Sequence, residues 1–230
     1  MAQFELNGVA LQIPAELLTM KIRQKLKSGK YEGHEARAAQ LVIDYGDRVL
    51  DLGSGIGYVA TICAMLAGAE NVVTVEANPD LLDVIRGNLD ANDCAEATLV
   101  HGAAVGRATS DGTVALTKAR AFWASSVGTG QGAQTVNVPA ILISELLAKH
   151  RPTVVMMDVE GAEADMFDAP WPDHVRVVIL ELHQNRYPDT VIRQIFDTMS
   201  TSDLIYSPNL SRGAIVGFCR VGQGLDGSDS

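Results

Sequence analysis

The stretch Val49-Leu50-Asp51-Leu52-Gly53-Ser54-Gly55-Ile56-Gly57-Tyr58 decides the fold of this chain. A short buried strand is predicted over residues 48–51, three glycines crowd the turn that follows, and a helix is expected from Tyr58 onward. Glycine suits a turn in which the backbone takes positive φ angles or approaches a ligand closely. A helix that begins there presents N–H groups without intrahelical partners. The stretch therefore predicts a ligand-binding turn, with a tight turn that binds nothing as the alternative.

The spacing of these glycines indicates which ligand the turn takes. Gly53 and Gly55 fit the dinucleotide pattern G-x-G-x-x-G, but the third glycine comes one position early, at Gly57. Asp51 would repel a bound pyrophosphate, whereas it would attract a cationic amino group such as that of S-adenosylmethionine. The turn therefore favours S-adenosylmethionine over NAD.

Apolar strands and helices alternate on both sides of this stretch. Strands are predicted over residues 48–51, 71–76, 97–101, 153–158 and 175–181, and helices over 58–66, 79–92 and 189–200. Continuous apolar strands separated by helices predict an α/β fold with a parallel sheet covered on both faces. Residues 204–206 and 214–220 are expected to close that sheet as an antiparallel pair.

The remaining segments complete the predicted organisation. Asn7-Gly8 between alternating apolar residues predicts a hairpin, followed by helices over 14–26 and 34–44. We therefore expect one domain in which residues 1–45 pack on a core formed by 46–221, with a disordered tail at 222–230. Strands are also expected at 113–117 and 135–138. The segment 121–132 between them, which contains Trp123, Ser125 and Ser126, is either a lid or a surface loop.

Ionisable residues end five of the predicted strands. They are Asp51, Glu76, His101, Asp158 and Glu181. Each acid alone could cap the helix that follows it, but ligands of open α/β sheets bind at the carboxyl ends of the strands. Five such residues together predict a site there, and Glu76 is placed to accept the hydroxyls of a ribose.

A second acidic group points to chemistry at the same rim. Asp158-Val159-Glu160-Gly161-Ala162-Glu163 would place Glu160 and Glu163 one turn apart if a helix begins at Gly161. Asp158 and Glu160 are candidate catalytic residues, and His183 is the candidate general base because imidazole titrates near neutrality. A divalent metal held by Asp158, Glu160, Glu181 and His183 is an alternative that no tight ligand motif favours.

Composition limits the classes of partner. The chain has 230 residues, 47% hydrophobic, and a net charge of −10, which disfavours a nucleic-acid footprint. No apolar run is long enough to span a membrane, and the first residues do not resemble a signal peptide. Three scattered cysteines do not indicate a disulfide framework. A cytoplasmic protein is expected, with homo-oligomerisation left open.

These residues together resemble the FkbM-type methyltransferases, a family of S-adenosylmethionine-dependent enzymes known chiefly for O-methylation. The similarity runs from Tyr31 to about His183 and is most specific at 158–163, with further matches at 31–35, 51–58 and 76–79. It implies a Rossmann-like class I methyltransferase fold, with a mostly parallel seven-stranded sheet and an antiparallel closing strand. Two departures are Ser54, where alanine is usual, and the absence of an aspartate from 141–146.

The resemblance also implies which residues line the donor site and react. With the glycine loop, the predicted donor site comprises Tyr31, Glu32, Asp51, Gly53, Gly55, Gly57, Glu76, Ala77, Asn78, Gly102, Ala103 and Asp158. Asp158 and Glu160 would lie beside the reacting atoms. The expected function is O-methylation of a small hydroxylated metabolite, such as a sugar or a secondary-metabolite intermediate. An NAD-dependent oxidoreductase and a non-catalytic S-adenosylmethionine-binding protein are the alternatives.

Overall fold

A seven-stranded sheet forms the centre of the molecule in the computed structural model, which describes residues 1–118, 126–127 and 134–222. The strand order is β12-β13-β11-β10-β3-β4-β5. The bounds are β3 Val49–Leu52, β4 Val72–Glu76, β5 Thr98–His101, β10 Val154–Met157, β11 Val177–Glu181, β12 Leu204–Tyr206 and β13 Ile215–Arg220. β3, β4, β5, β10 and β11 are parallel, and β13 runs antiparallel to β11 and β12. The predicted Rossmann-like α/β fold is confirmed.

Helices cover both faces of this sheet. They are α1 Met20–Lys27, α2 Gly33–Val42, α3 Tyr58–Ala67, α4 Leu82–Asp90, α5 Ile143–His150 and α6 Asp189–Thr201. Successive strand residues point to opposite faces. Val154 and Met156 therefore join one buried cluster, and Val155 and Met157 join the other. A strand with two buried faces must be apolar throughout, which is why these strands show no alternation in the sequence.

Two smaller β units flank the sheet. β1 Ala2–Leu6 and β2 Val9–Ile13 form the predicted hairpin. Asn88 of α4 and Asn92, just after that helix, attach this hairpin to the core, because their side-chain oxygens accept the backbone N–H groups of Gln12 and Ala10 at 2.7 and 2.8 Å. The second unit pairs β6 Ala103–Val105, β7 Thr113–Lys118, β8 Ser126–Val127 and β9 Gln134–Leu142. The division into residues 1–45 and 46–221 stays a prediction.

Several elements differ from the predictions. The helix expected over 14–26 is a 3-10 turn followed by α1, which begins after Thr19 because the Thr19 hydroxyl accepts the Ile22 N–H at 3.3 Å. The helix expected at Gly161 is a 3-10 turn, Ala162–Asp165. β6 and α5 were not predicted, and β9 runs directly into α5. Residues 121–125 and 128–132 of the expected lid, and the tail from 223, lie outside the described residues.

No helix among the described residues is both long enough and apolar enough to cross a membrane.

Candidate active site

A narrow pocket opens where β3, β4 and β10 end, at the edge of the sheet predicted to bind a ligand. Its walls come from the glycine turn, the end of β4, the segment that leads into β6, and the loop after β10. The residues that line it are Tyr31, Glu32, Gly53, Gly55, Val75, Glu76, Ala77, Leu81, Gly102, Ala103, Ala104, Leu116, Asp158, Val159, Glu160 and Ala162. Nine of the twelve predicted donor-site residues are among them.

Glu76 is fixed at the end of β4 by the backbone around it. Its Oε2 accepts the N–H of Gly55 at 3.0 Å, and its Oε1 accepts the N–H of Asn78 at 2.7 Å. Each oxygen keeps a lone pair for a ligand hydroxyl. Burial raises the pKa of Glu76 to about 7, although these N–H groups stabilise its carboxylate. The carboxylate is therefore held in one orientation, as the predicted ribose contact requires.

Two glycines of the site let segments approach more closely than any side chain would allow. A Cβ on Gly53, whose φ is +86°, would lie 1.8 Å from the carbonyl oxygen of Asp158. A Cβ on Gly102 would lie 2.6 Å from the side chain of Ile141. The glycine at position 53 therefore brings the turn after β3 against the acidic segment after β10, which joins the two predicted halves of the site.

Asp51 lies beneath this pocket and does not line it. It is 3% exposed, and its Oδ2 accepts the hydroxyl of Thr74 at 2.6 Å. The Ser54 hydroxyl forms a short contact with that of Thr74, which continues the chain of polar groups. Burial raises the pKa of Asp51 to about 6, against the effect of these hydroxyls. Asp51 opens instead onto a smaller cavity with Glu32, Glu35, Asp158 and Glu181.

Tyr31 and Glu32 reach the glycine turn from the segment between α1 and α2. A Cβ on Gly55 would lie 3.4 Å from both the Tyr31 hydroxyl and Glu32 Oε1. Glu32 takes the left-handed conformation at the start of α2, with φ +43°. The Tyr31 hydroxyl is buried without a well-formed hydrogen bond. Burial, followed by the Glu32 carboxylate, raises the pKa of Tyr31. A buried hydroxyl of this kind is available to a ligand.

His183 joins three acids beside the pocket. Its Nδ1 lies 2.8 Å from Glu163 Oε1, and its Nε2 lies 3.4 Å from Asp158 Oδ1 and 3.6 Å from Glu160 Oε2. Burial alone would lower the pKa of His183, but the hydrogen bond to Glu163 and the charges of the three acids outweigh it and raise that pKa to about 9. The imidazole is therefore a cation at neutral pH.

The carboxylates around this cation have raised pKa values. Burial raises the pKa of Asp158 well above its ordinary value, and the negative charge of the neighbouring Glu181 is the second cause. Burial also raises the pKa of Glu160, which Arg186 approaches to 3.4 Å. Burial and then Glu35 raise the pKa of Glu181. A carboxylate whose pKa moves toward neutrality is a stronger base than an exposed one.

Two sets of these side chains have metal-ligand spacing. Asp158, Glu160 and His183 bring one ligand atom each within 4.8 Å of one another, and so do Glu35, Asp158 and Glu181. An imidazole must be neutral to bind a metal. The metal alternative therefore requires that His183 lose the proton that its three acids stabilise.

Six predicted site residues do not line the pocket, and Glu181 and His183, described above, are two of them. Gly57 caps α3 with φ +81°, and the Asn78 oxygen accepts the N–H of Asp80 at 3.1 Å as a cap of the following turn. Asp51 lies beneath the pocket, and His101 is exposed at the edge strand β5. Leu81 and Leu116, which supply an apolar wall, carry no signal in the sequence. Glu163 was noted only as an acid at a helix start, and its contact with His183 was not predicted.

Comparison with known proteins places the chain in a family. A model of the family described as the methyltransferase FkbM domain matches residues 51–206, which is more than half of the chain. This chain belongs to the FkbM methyltransferase family. The match begins at Asp51 and includes β3, the acidic segment after β10, and β11 with His183.

Relatives of established name resemble shorter parts of the chain. A protein-L-isoaspartate O-methyltransferase of Methanococcoides burtonii is 44% identical over 62 residues, which are 26% of this chain and 30% of that protein. The homologous enzyme of Methanocella arvoryzae is 50% identical over 50 residues, 21% of this chain and 27% of the relative. The chain thus matches less than a third of each. Precorrin-6y C5,15-methyltransferase of Geobacter metallireducens is 14% identical, with a TM-score of 0.49 and coverage of 91% of this chain and 94% of that one.

The pocket fits S-adenosylmethionine, the cofactor that an FkbM domain implies. Glu76 suits the ribose hydroxyls, and the carboxylates of Glu32 and Asp158 suit a sulfonium and an ammonium group. Among the described residues, no lysine or arginine lines the pocket. A dinucleotide pyrophosphate would therefore meet carboxylates without a cation.

Proposed function

We propose that this FkbM-family protein is an S-adenosylmethionine-dependent O-methyltransferase that acts on a hydroxyl of a small molecule. The observation that supports this most directly is the position of Asp158. This residue lines the donor pocket and also belongs to the cluster around His183. A carboxylate at that junction can contact both the donor and an acceptor hydroxyl.

S-adenosylmethionine, when bound, supplies an electrophilic methyl group. Glu76 holds the ribose hydroxyls, and Glu32 and Asp51 balance the positive charge of the methionine end. The walls of the narrow pocket exclude water, so that positioning carries much of the rate.

Asp158 takes the proton from the acceptor hydroxyl in this scheme. Its Oδ1 is buried without a hydrogen-bond partner, and burial raises its pKa, which makes its carboxylate a stronger base. His183 acts as a positioning residue, because its cation lies between Asp158, Glu160 and Glu163. The alternative assignment, His183 as the base, requires the imidazole to lose a proton whose pKa is raised to about 9.

The test is turnover of a panel of hydroxylated small molecules with S-adenosylmethionine. Mass spectrometry would detect S-adenosylhomocysteine and a methyl ether. Asp158→Asn is expected to lower turnover by roughly a hundredfold or more, the range typical of a lost general base, and the exposed Asp197→Asn on α6 is the matched control. Methylation at nitrogen or carbon would overturn the O-methyl assignment. Donor binding without turnover of any acceptor would favour the non-catalytic alternative.

A further inference from the structure

A large cavity adjoins the donor pocket on the side of α1 and α2. Its volume is about 760 Å3, and it lies between α1, α2, the ends of β10 and β11, and the turn before β13. Tyr31, Glu32, Asp158 and Glu160 line both this cavity and the donor pocket. The two spaces therefore meet at the proposed catalytic carboxylate.

Charges of both signs line this cavity. The half-buried carboxylates belong to the ends of β10 and β11 and to the start of α2: Glu32, Glu35, Asp158, Glu160 and Glu181. The exposed cations lie on α1, α2 and the two turns: Lys21, Lys25, Lys30, Arg37 and Arg212. Five of the 18 lysines and arginines of a chain with net charge −10 thus line one cavity. An even surface distribution would not concentrate them there.

These cations are available to a ligand. Among the described residues, Lys21, Lys30 and Arg212 form no ion pair. The charge of Lys25 acts on Glu181 without a close ion pair, and Arg37 donates to the backbone oxygen of Asn209 at 3.0 Å. The N-terminus of α2 adds a partial positive charge, because Gly33 and His34 line the cavity and no side chain caps that helix. Tyr31, whose buried hydroxyl lacks a well-formed hydrogen bond, also lines this cavity.

We infer that this cavity binds the methyl acceptor, and that the acceptor is a small molecule with a phosphate or carboxylate group. The inference rests on the proposed function. The anionic group lies at Lys25, Lys30 and Arg212, and the hydroxyl to be methylated points to Asp158. Charge-assisted hydrogen bonds to phosphate or carboxylate are stronger than neutral ones. In this proposal the cations attract the anionic group and the carboxylates beside Asp158 repel it, which orients the acceptor.

A small molecule fits these observations better than RNA. Nucleic acid is bound by cations spread along an extended face, whereas these cations surround one cavity in an acidic chain.

Calorimetric titration with matched pairs of probes tests the inference. The pairs are glycerol 3-phosphate and glycerol, glucose 6-phosphate and glucose, and glycerate and glycerol, each with and without saturating S-adenosylhomocysteine. A short RNA oligonucleotide is titrated in the same way as an additional ligand. At least one anionic probe is expected to bind about tenfold or more tightly than its neutral partner, with a dissociation constant near or below about 1 mM.

The double variant Lys25→Gln/Arg212→Gln is expected to bind that anionic probe about tenfold or more weakly, because it lacks two charged partners of the anion. Lys27→Gln is the matched control, because Lys27 is exposed on the same helix and does not line the cavity. Equal affinity for charged and neutral probes, an unchanged affinity in the double variant, or binding of RNA alone would overturn the inference.

S-adenosylhomocysteine binding, measured in the same titrations, separates the two proposals. Donor binding without selectivity for anions would refute the inference and leave the proposed function standing. Selective anion binding without donor binding would support the charged cavity and refute the proposed function.

Discussion

The Nδ1 atom of His183 lies 2.8 Å from Oε1 of Glu163, a side chain with no exposed surface. On the other side of the ring, Nε2 faces Asp158 and Glu160 at 3.4 and 3.6 Å. The hydroxyl of Tyr187 also accepts the backbone N–H of His183 at 2.8 Å, which fixes the position of the residue. One cation is thus shared among three carboxylates, and it reduces their mutual repulsion beside the donor pocket.

The pKa of His183 is expected to be about 9. Glu163→Gln should lower this pKa, because burial lowers it and the variant lacks one of the negative charges that raise it. NMR titration of the histidine side chains would measure both values. His150 is an internal control, because burial lowers its pKa and the described structure gives it no contact with this cluster. An unchanged pKa of His183 in the variant would contradict the role assigned to Glu163.

Donor affinity is expected to rise with pH through about 7, since the ribose hydroxyls bind the ionised form of Glu76, whose pKa is raised to about 7. Below that pH, binding must first remove a proton from Glu76. Glu76→Gln should weaken S-adenosylhomocysteine binding by about tenfold or more. The affinity of this variant should still depend on pH, but less steeply, because Asp51 has a pKa of about 6. The exposed Glu70→Gln should retain the wild-type profile. Calorimetry between pH 5.5 and 8.5 would measure these affinities.

The free protein should lose thermal stability as the pH rises from 5.5 to 9. Asp51 and Glu76 have pKa values raised to about 6 and about 7 in the folded state, so folding favours their protonated forms. As the pH rises from the unfolded to the folded pKa of each acid, the free energy of unfolding therefore decreases. The raised pKa of His183, about 9, contributes stability that is complete below its unfolded value and is lost as the pH passes 9. Scanning calorimetry at constant ionic strength would measure the Tm, and a Tm that rises between pH 5.5 and 7.5 would refute this sign.

Gly53→Ala should destabilise the fold more than Gly46→Ala does. Both glycines have positive φ, +86° and +92°, but a Cβ on Gly46 meets nothing within 4 Å, whereas one on Gly53 meets the Asp158 carbonyl at 1.8 Å. Both substitutions carry the conformational cost of a positive φ, and Gly53→Ala adds a steric overlap that costs about 1–3 kcal/mol or more. Urea unfolding would give both free energies of unfolding. Equal losses would show that the turn after β3 does not press against the acidic segment.

Much of the fold could be predicted because its signals are local. The strand of 49–52, the glycine turn and α3 are adjacent in the sequence, and each apolar run of the sheet is marked by its own flanking turn. α5 was missed because Ile143–His150 follows β9 without a break, and its apolar residues continue the pattern of the strand. β6, with three residues, is too short to show a period.

The site could be predicted only where a motif carries it. Glu76, the glycines and the acids at 158–163 were recognisable from position and spacing, and most of them line the pocket. Glu163 was expected as a helix-start acid, yet a 3-10 turn buries it against His183, which lies 20 positions away in the sequence. Lys21 and Lys25 belong to an exposed helix face that is ordinarily solvated. Only the packing of α1 beside Arg212 makes them part of one cavity.

The central claim, that the pocket at Glu76 and Asp158 binds a methyl donor, is tested most directly by calorimetric titration of the protein with S-adenosylmethionine, S-adenosylhomocysteine and NADH, with and without Mg2+. We predict that the first two bind, that NADH does not, and that Mg2+ changes neither result. Binding of NADH without either sulfur compound would contradict the claim, and the methyltransferase proposal would fall with it.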